Sequence, residues 1–166
     1  MDEVDGIVAA WQRERPDLDV SALAVLSRVD RLAAELASRR RRVFVAHHLA
    51  LHEFDVLAAL RRSGPPYELT AGQLAADTHV TSGTMTNRIS GLVQRRLVRR
   101  AADPVDGRIS RIRLGAAGRT RVDAAITDLL GVENDLLRAL PASGRRGLAS
   151  ALQVVLSAVQ AAPATG

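Results

Sequence analysis

LTAGQLAADTHVTSGTMTNRISGLVQRRLVRRAADPVDGRISRIRL, residues Leu69–Leu114, decides the fold. Thr70, with Gln73 three residues on, has the form of a capping box. It opens a short helix over 71–78 whose apolar side carries Leu74 and Ala75. After His79 and Val80 a second helix opens at Thr81 or Ser82 and runs to about Arg96. Two helices joined by a turn of about three residues have helix-turn-helix spacing. The period then changes. Leu97 and Val98 on one side, and Ile109, Ile112 and Leu114 on the other, flank "DPVDG", whose Pro and Asp-Gly mark a hairpin tip. A hairpin directly after a helix-turn-helix is a wing.

Outward from this stretch the pattern is helical. Residues 52–63 form a helix that stops at Gly64, with Pro65 and Pro66 beyond it. A long helix spans 21–47, capped by Asp19 or Ser21, with an apolar stripe through Leu23, Leu26, Val29, Leu32 and Leu36. The run Arg39–Arg42 interrupts that stripe, as a solvated face or as a contact for phosphate or ligand. Residues 2–15 form an extra short helix carrying Ile7, Val8 and Trp11, and Pro16 ends it. After the wing come helices over about 116–140 and 144–161, separated by "LPASG". Their stripes, like that of 21–47, have no obvious partner within so small a lobe and point to a homodimer. The expected architecture is mainly α with a small β-hairpin wing. It is a single domain over 1–166: an extra helix (2–15), dimerisation helices (21–47 and 116–161) and a winged helix-turn-helix lobe (52–114).

Composition agrees. The chain has 166 residues, 47% of them hydrophobic but only 2% aromatic, so its core must be built from Leu, Val, Ile and Ala. Ala, Leu and Arg also favour helix. A net charge of +5, carried by 23 basic residues that are all Arg, suits an anionic partner such as nucleic acid. With no Cys, disulfides, thiol sensing and Cys-zinc sites are excluded. No signal peptide and no membrane span are expected, which places the protein in the cytoplasm. No Ser-His-Asp set and no phosphate-binding Gly loop is present, so neither catalysis nor a cofactor is expected. His48 and His52 have a spacing that can hold a metal, but no HExxH pattern accompanies them.

A helical wheel at about 100° per residue divides the second helix of the motif. Met85, Ile89, Leu92 and Val93 face the core. Gly83, Thr86, Asn87, Ser90 and Gln94 face away, with Ser82 and Thr84 at the opening turn. Asn and Gln read adenine edges, Thr touches a thymine methyl, and backbone N–H groups near Ser82 and Gly83 approach phosphate. In the wing, Arg108 at the tip suits a narrow minor groove, Asp106 can orient it, and Arg111 lies on the return strand. The expected partner is double-stranded DNA with a palindromic operator.

The small-residue helix "TSGTMTNRI", the exit "GLVQRRLVRR", the wing "DPVDGR" and the return strand "RIRL" together resemble the MarR family of winged helix-turn-helix transcription regulators. The resemblance covers roughly residues 21–160. It implies a homodimer clasped by terminal helices, with one lobe in each operator half-site. Two features depart from the family pattern: "LALHEF" replaces a Ser/Thr cap before residues 52–63, and "LGAAG" opens the final helix pair. A narrower resemblance, through "W…RPDLD", "EFDVLAALRRSGPPY", "MTNR" and "LVRR", is to the urate-responsive branch. That resemblance implies a ligand site at Trp11, Asp55, Arg88 and Arg100. Related regulators with a similar Trp extension answer to other small anions, including carboxylates.

Arg88 lies about 60° from Met85 on the wheel, whereas the reading face is centred about 180° away. It therefore flanks the packed side, where an Arg needs a carboxylate, and Asp55 is the nearest by type. Two readings stay open: a structural Arg88–Asp55 ion pair, or an anion pocket whose occupancy tilts the reading helix. A constitutive DNA-binding protein without a pocket, and a sensor acting through His protonation, are the rival functions.

Overall fold

The computed structural model describes residues 1–103, 106 and 109–161. The chain divides into two compact units, Met1–Ala125 and Ile126–Gly166. In chain order its elements are α1 (Glu3–Glu14), α2 (Ser21–Ala46), α3 (Leu51–Arg62), β1 (Glu68–Thr70), α4 (Ala71–Asp77), α5 (Ser82–Gln94), β2 (Val98–Ala102), β3 (Ser110–Leu114), α6 (Ala116–Leu136) and α7 (Ala142–Ala161). This is the mainly helical winged architecture expected from the sequence. No single described helix is long and apolar enough to cross a membrane.

Helix starts follow their caps. Asp2 and Asp5 form a capping box on α1: Asp2 accepts from the Val4 and Asp5 amides, and Asp5 accepts from that of Asp2 at 2.8 Å. The same two carboxylates bind Arg28 of α2, at 2.8 and 2.5 Å, and Arg31 binds Glu3 at 3.0 Å. The N-cap of α2 is Val20, which has no side-chain cap bond; Asp19, expected as the cap, accepts the Ser21 amide at 2.9 Å from one residue further out. The Thr70–Gln73 box at the start of α4 is complete in both directions. Where α3 lacks a Ser/Thr cap, the Glu53 carboxylate accepts the orphan Ala50 N–H at 2.9 Å.

Helix ends are less legible. α2, α4 and α5 each finish in a left-handed residue, His48, His79 and Arg96, with φ of 53°, 53° and 56°. In each case the next amide reaches back to close a Schellman motif: Leu49 to Phe44, Val80 to Ala75, and Leu97 to Leu92. Gly is the usual signal for such an end and none marks this one, so the sequence carried the expected helix to about Arg96 whereas α5 stops at Gln94. α6 likewise stops at Leu136, short of 140, and α7 starts at Ala142, ahead of 144.

The core lies where α3, α4, α5 and the sheet converge, around fully buried Leu57, Leu60, Leu74, Met85, Ile89, Leu92, Leu97 and Ile112. Phe44 and Phe54 stack across the α2–α3 corner with ring centroids 4.3 Å apart. Val93, expected in this core, is 37% exposed. It stands about 80° round the helix from Met85, at the edge of the buried stripe. The wing is more than a hairpin: β3 pairs antiparallel with β2 and also with β1, giving the order β1-β3-β2. Three residues are too few to show a strand period, so β1 left no sequence signal.

At the wing's exit, Gly115 donates to the Leu97 carbonyl at 2.9 Å. A Cβ on Gly118 would stand 2.2 Å from that carbonyl oxygen, so only glycine lets the first turn of α6 approach so closely. α7 buries none of its residues, and its apolar stripe of Leu148, Leu152, Val155, Leu156 and Val159 is exposed. So are Leu23, Leu26, Val29 and Leu32 of α2.

Candidate nucleic-acid interface and the charge site behind it

The exposed side of α5 carries the whole expected reading set: Ser82, Gly83, Thr84, Thr86, Asn87, Ser90 and Gln94. Thr81 caps the helix by accepting the Thr84 amide and bonds the Thr84 hydroxyl at 3.0 Å, which orders the opening turn. Thr86 and Ser90 donate their hydroxyls back to the carbonyls of Ser82 and Thr86, each at 2.9 Å. Their hydroxyl oxygens remain free to accept, and the Thr86 methyl is available for apolar contact. Among the described residues the amides of Asn87 and Gln94 have no hydrogen-bond partner, so their donor and acceptor groups are available to base edges. A hollow of about 420 Å³ joins Thr70–Gly72 at the start of α4, Ser82 and Thr86 of α5, and Ile109 and Ser110 at the root of the wing.

The wing is braced from below. Asp103, 7% exposed, accepts from Arg111 and from the Asp106 amide, and Arg111 also meets Glu68 of β1 at 3.3 Å. Charge-assisted bonds to these two carboxylates raise the Arg111 guanidinium above its usual pKa. Arg111, expected at the DNA, is thus built first into the wing's own scaffold. The bracing role of Asp103 and Glu68 escaped sequence reasoning, although an Asp opening a turn and bonding the amide three residues on is a recognised signal. Arg108, and with it the expected Asp106–Arg108 contact, lies outside the described residues.

Behind the reading face, Asp55 and Arg88 meet electrostatically but do not pair. Burial pushes the Asp55 carboxyl up, and the charge of Arg88, followed by His52, Arg62 and Arg40, opposes this without cancelling it. Among the described residues no hydrogen bond or ion pair joins Asp55 to Arg88. The other two residues of the expected ligand set lie elsewhere in the single chain. Trp11, 48% exposed, lines a shallow apolar hollow of about 310 Å³ on α1 with Ile7, Ala10 and Glu14. Arg100 lines a recess of about 600 Å³ with Val93, Arg96, Arg99 and Gly115–Ala117.

Sequence reasoning also missed Arg95. It binds both carboxylate oxygens of Glu53 and the carbonyl of His48. Burial pushes the Glu53 carboxyl up, but hydrogen bonds from Arg95 and the Ala50 amide, with the Arg95 and His52 charges, bring it below the usual range. The His48–His52 spacing does not lie on one helix, since His48 closes α2 and His52 belongs to α3. No group of three or more metal-ligating side chains forms among the described residues.

With this geometry in place, comparison with known proteins gives one consistent answer. Residues 49–109 match the model of the MarR family. The HTH-type transcriptional regulator PecS of Dickeya dadantii is 33% identical over 135 residues, covering 81% of each chain. Among solved structures, AbsC, a MarR family transcriptional regulator from Streptomyces coelicolor, superposes with a TM-score of 0.76 at 14% identity, covering 87% of this chain and 98% of that one. BpsR of Bordetella bronchiseptica, described for the regulation of its DNA binding by 6-hydroxynicotinic acid, has a TM-score of 0.60 at 22% identity, covering 77% and 98%. Sequence and fold agree: the chain belongs to the MarR family and is a DNA-binding transcription regulator, not an enzyme.

Proposed function

We propose that this regulator is a homodimeric repressor that binds a palindromic operator and is released from it by a small anionic ligand such as urate. The observation that carries the reading is the unpaired, partly buried Asp55 beside Arg88, with His52, Arg62 and Arg40 adding positive charge around it. Arg88 belongs to the reading helix. An anion bridging it to the body of the lobe gains contacts that depend on how α5 is tilted, and such differential contact is what shifts a two-state equilibrium. Among the described residues no hydrogen bond or ion pair joins the two groups, which supports the ligand reading over a structural ion pair.

In this reading Arg88 donates to the ligand and Asp55 accepts a ring N–H or repels its charge. Arg100 as a second donor and Trp11 as a stacking partner or indole N–H donor line separate hollows in the single chain and must be brought to the ligand when it binds. That the 6-hydroxynicotinic acid of BpsR is an aromatic carboxylate agrees with a ligand of this size and charge. The recess holding Arg96, Arg99 and Arg100 favours a second reading, in which the same fold answers to a polycarboxylate. Either way DNA is met by Ser82, Gly83, Thr84, Thr86, Asn87, Ser90 and Gln94, with Arg108 and Asp106 at the wing, braced by Arg111. A regulator of operator DNA works in the cytoplasm.

Titration with urate, followed through Trp11 fluorescence with citrate and xanthine alongside, tests this. Saturable quenching by urate that disappears in Arg88→Ala supports the pocket. A response to citrate alone keeps the switch and changes the ligand. Silence to all three leaves a constitutive DNA-binding protein with Arg88 as scaffold.

A further inference from the structure

α3 and α5 are joined by a second charged contact, at the far end of α5. Arg95, the C-cap residue of α5, sets one guanidinium nitrogen 2.5 Å from both oxygens of Glu53 and the other 2.5 Å from the His48 carbonyl. Glu53 in turn accepts the first free amide of α3, from Ala50, at 2.9 Å. His48 is the left-handed residue that closes α2. One guanidinium therefore ties the end of α5 to the beginning of α3 and the end of α2. The Glu53 side chain is only 12% exposed, so without Arg95 it would be a largely desolvated, uncompensated charge.

Arg95 follows Gln94, the last residue of the reading face, and stands two turns beyond Arg88. At about 100° per residue Arg88 and Arg95 fall on the same side of α5, away from the reading face. The two contacts differ in state: Glu53–Arg95 is closed and Asp55–Arg88 is open.

We propose that Glu53 and Arg95 are positioning residues for DNA recognition: their ion pair anchors the C-terminal end of α5 to the α2–α3 corner and fixes the tilt at which the helix presents Asn87 and Gln94. It is also the fixed point about which α5 turns when Arg88 moves. The first half needs only that α5 reads DNA, and the second rests on the ligand reading above. Phosphate contacts supply affinity regardless of sequence, whereas base readout depends on side-chain placement, so a tilt control acts on specificity.

The full-length protein tests this on two duplexes, an operator selected by the protein from random DNA and a scrambled duplex, each titrated at several salt concentrations. Glu53→Gln and Arg95→Gln are each expected to lower operator affinity about tenfold, a change of the size one charged hydrogen bond supplies, with scrambled-DNA affinity and salt slope unchanged. The swap Glu53→Arg with Arg95→Glu is expected to recover part of that loss. Arg95→Lys keeps the charge but cannot span both Glu53 and His48. It is expected to match Arg95→Gln and serves in its place should that variant not fold by circular dichroism. A loss on both duplexes with a salt slope lower by about one, seen in Arg95→Gln and not in Glu53→Gln, would make Arg95 a phosphate contact and overturn the proposal. Folded variants with unchanged operator affinity overturn it as well. A wild type that ignores every ligand while the variants lose specificity sinks the turning motion alone and leaves the anchoring role standing.

Discussion

Asp55 on α3 and Arg88 on α5 lie within each other's field, yet burial outweighs the attraction and the Asp55 carboxyl ends above its usual pKa. A carboxyl whose folded pKa is raised binds its proton more tightly in the native state than in the unfolded chain. Its ionisation cost is fully present above the folded pKa and vanishes below the unfolded value. Asp55→Asn removes a charge that has no ion-pair partner among the described residues. At neutral pH the variant should melt at a higher temperature than wild type. The difference should close as pH falls through the raised Asp55 value toward the ordinary aspartate range. Melting curves from pH 7 to about pH 3.5, near the unperturbed Asp value, test this, and an equal difference at every pH would remove Asp55 as its source.

The closeness of α6 to the wing exit sets a second expectation. Gly118→Ala places a methyl 2.2 Å from the Leu97 carbonyl oxygen and should cost about 1–3 kcal/mol in urea unfolding, the usual range for overpacking. Gly6→Ala is the contrast. It lies within α1 with nothing near its added Cβ, and should be neutral or stabilise by up to about 1 kcal/mol. Similar values for the two would mean that the approach of α6 is easily relaxed.

The wing separates charge from shape. Arg108→Ala should weaken binding to all duplexes alike and lower the salt slope by about one. Asp103→Ala removes the carboxylate that orders Arg111 and the Asp106 amide. It should reduce operator affinity through a loosened wing while leaving the slope unchanged. Equal slopes for the two variants would show that Arg108 does not touch phosphate.

In the homodimer proposed above, the exposed stripe of α7 is expected to be the seam. Leu152→Glu combined with Val155→Glu places two charges on a helix that buries no residue of its own in the single chain. Light scattering should then report a monomer, with operator affinity lost because two half-sites can no longer be held at once. A dimer that survives both charges moves the seam away from α7.

Much of this molecule was legible from Leu69–Leu114 alone. Caps that rest on a side chain three residues from its partner, such as Thr70–Gln73, and the buried stripe of Met85, Ile89 and Leu92 are local patterns, and local patterns survive in sequence. What could not be read is what depends on approach from elsewhere. β1 exists because β3 offers it an edge. Nothing in the sequence tells that Asp103 and Glu68 are brought beneath Arg111. Arg95 is one Arg among 23 until the chain brings Glu53 and His48 to it. The helix ends at His48, His79 and Arg96 were hidden for another reason, since their hydrogen-bond pattern imposes a left-handed turn on residues that rarely advertise one.

The aromatic residues were sparse enough to limit the core, and their placement has a use in measurement. Tyr67, the only tyrosine, has the guanidinium groups of Arg61 and Arg119 over its ring, at 4.9 and 5.1 Å from its centre, and both arginines share Asp123. Trp11, the only tryptophan, sits on the outer side of α1. The protein therefore carries two spectrally distinct reporters without any label. Tyrosine absorbance follows the joint between α3 and α6, and tryptophan emission follows the amino-terminal helix. A ligand or an operator that moves one and not the other identifies by its optical signature which part of the molecule has responded.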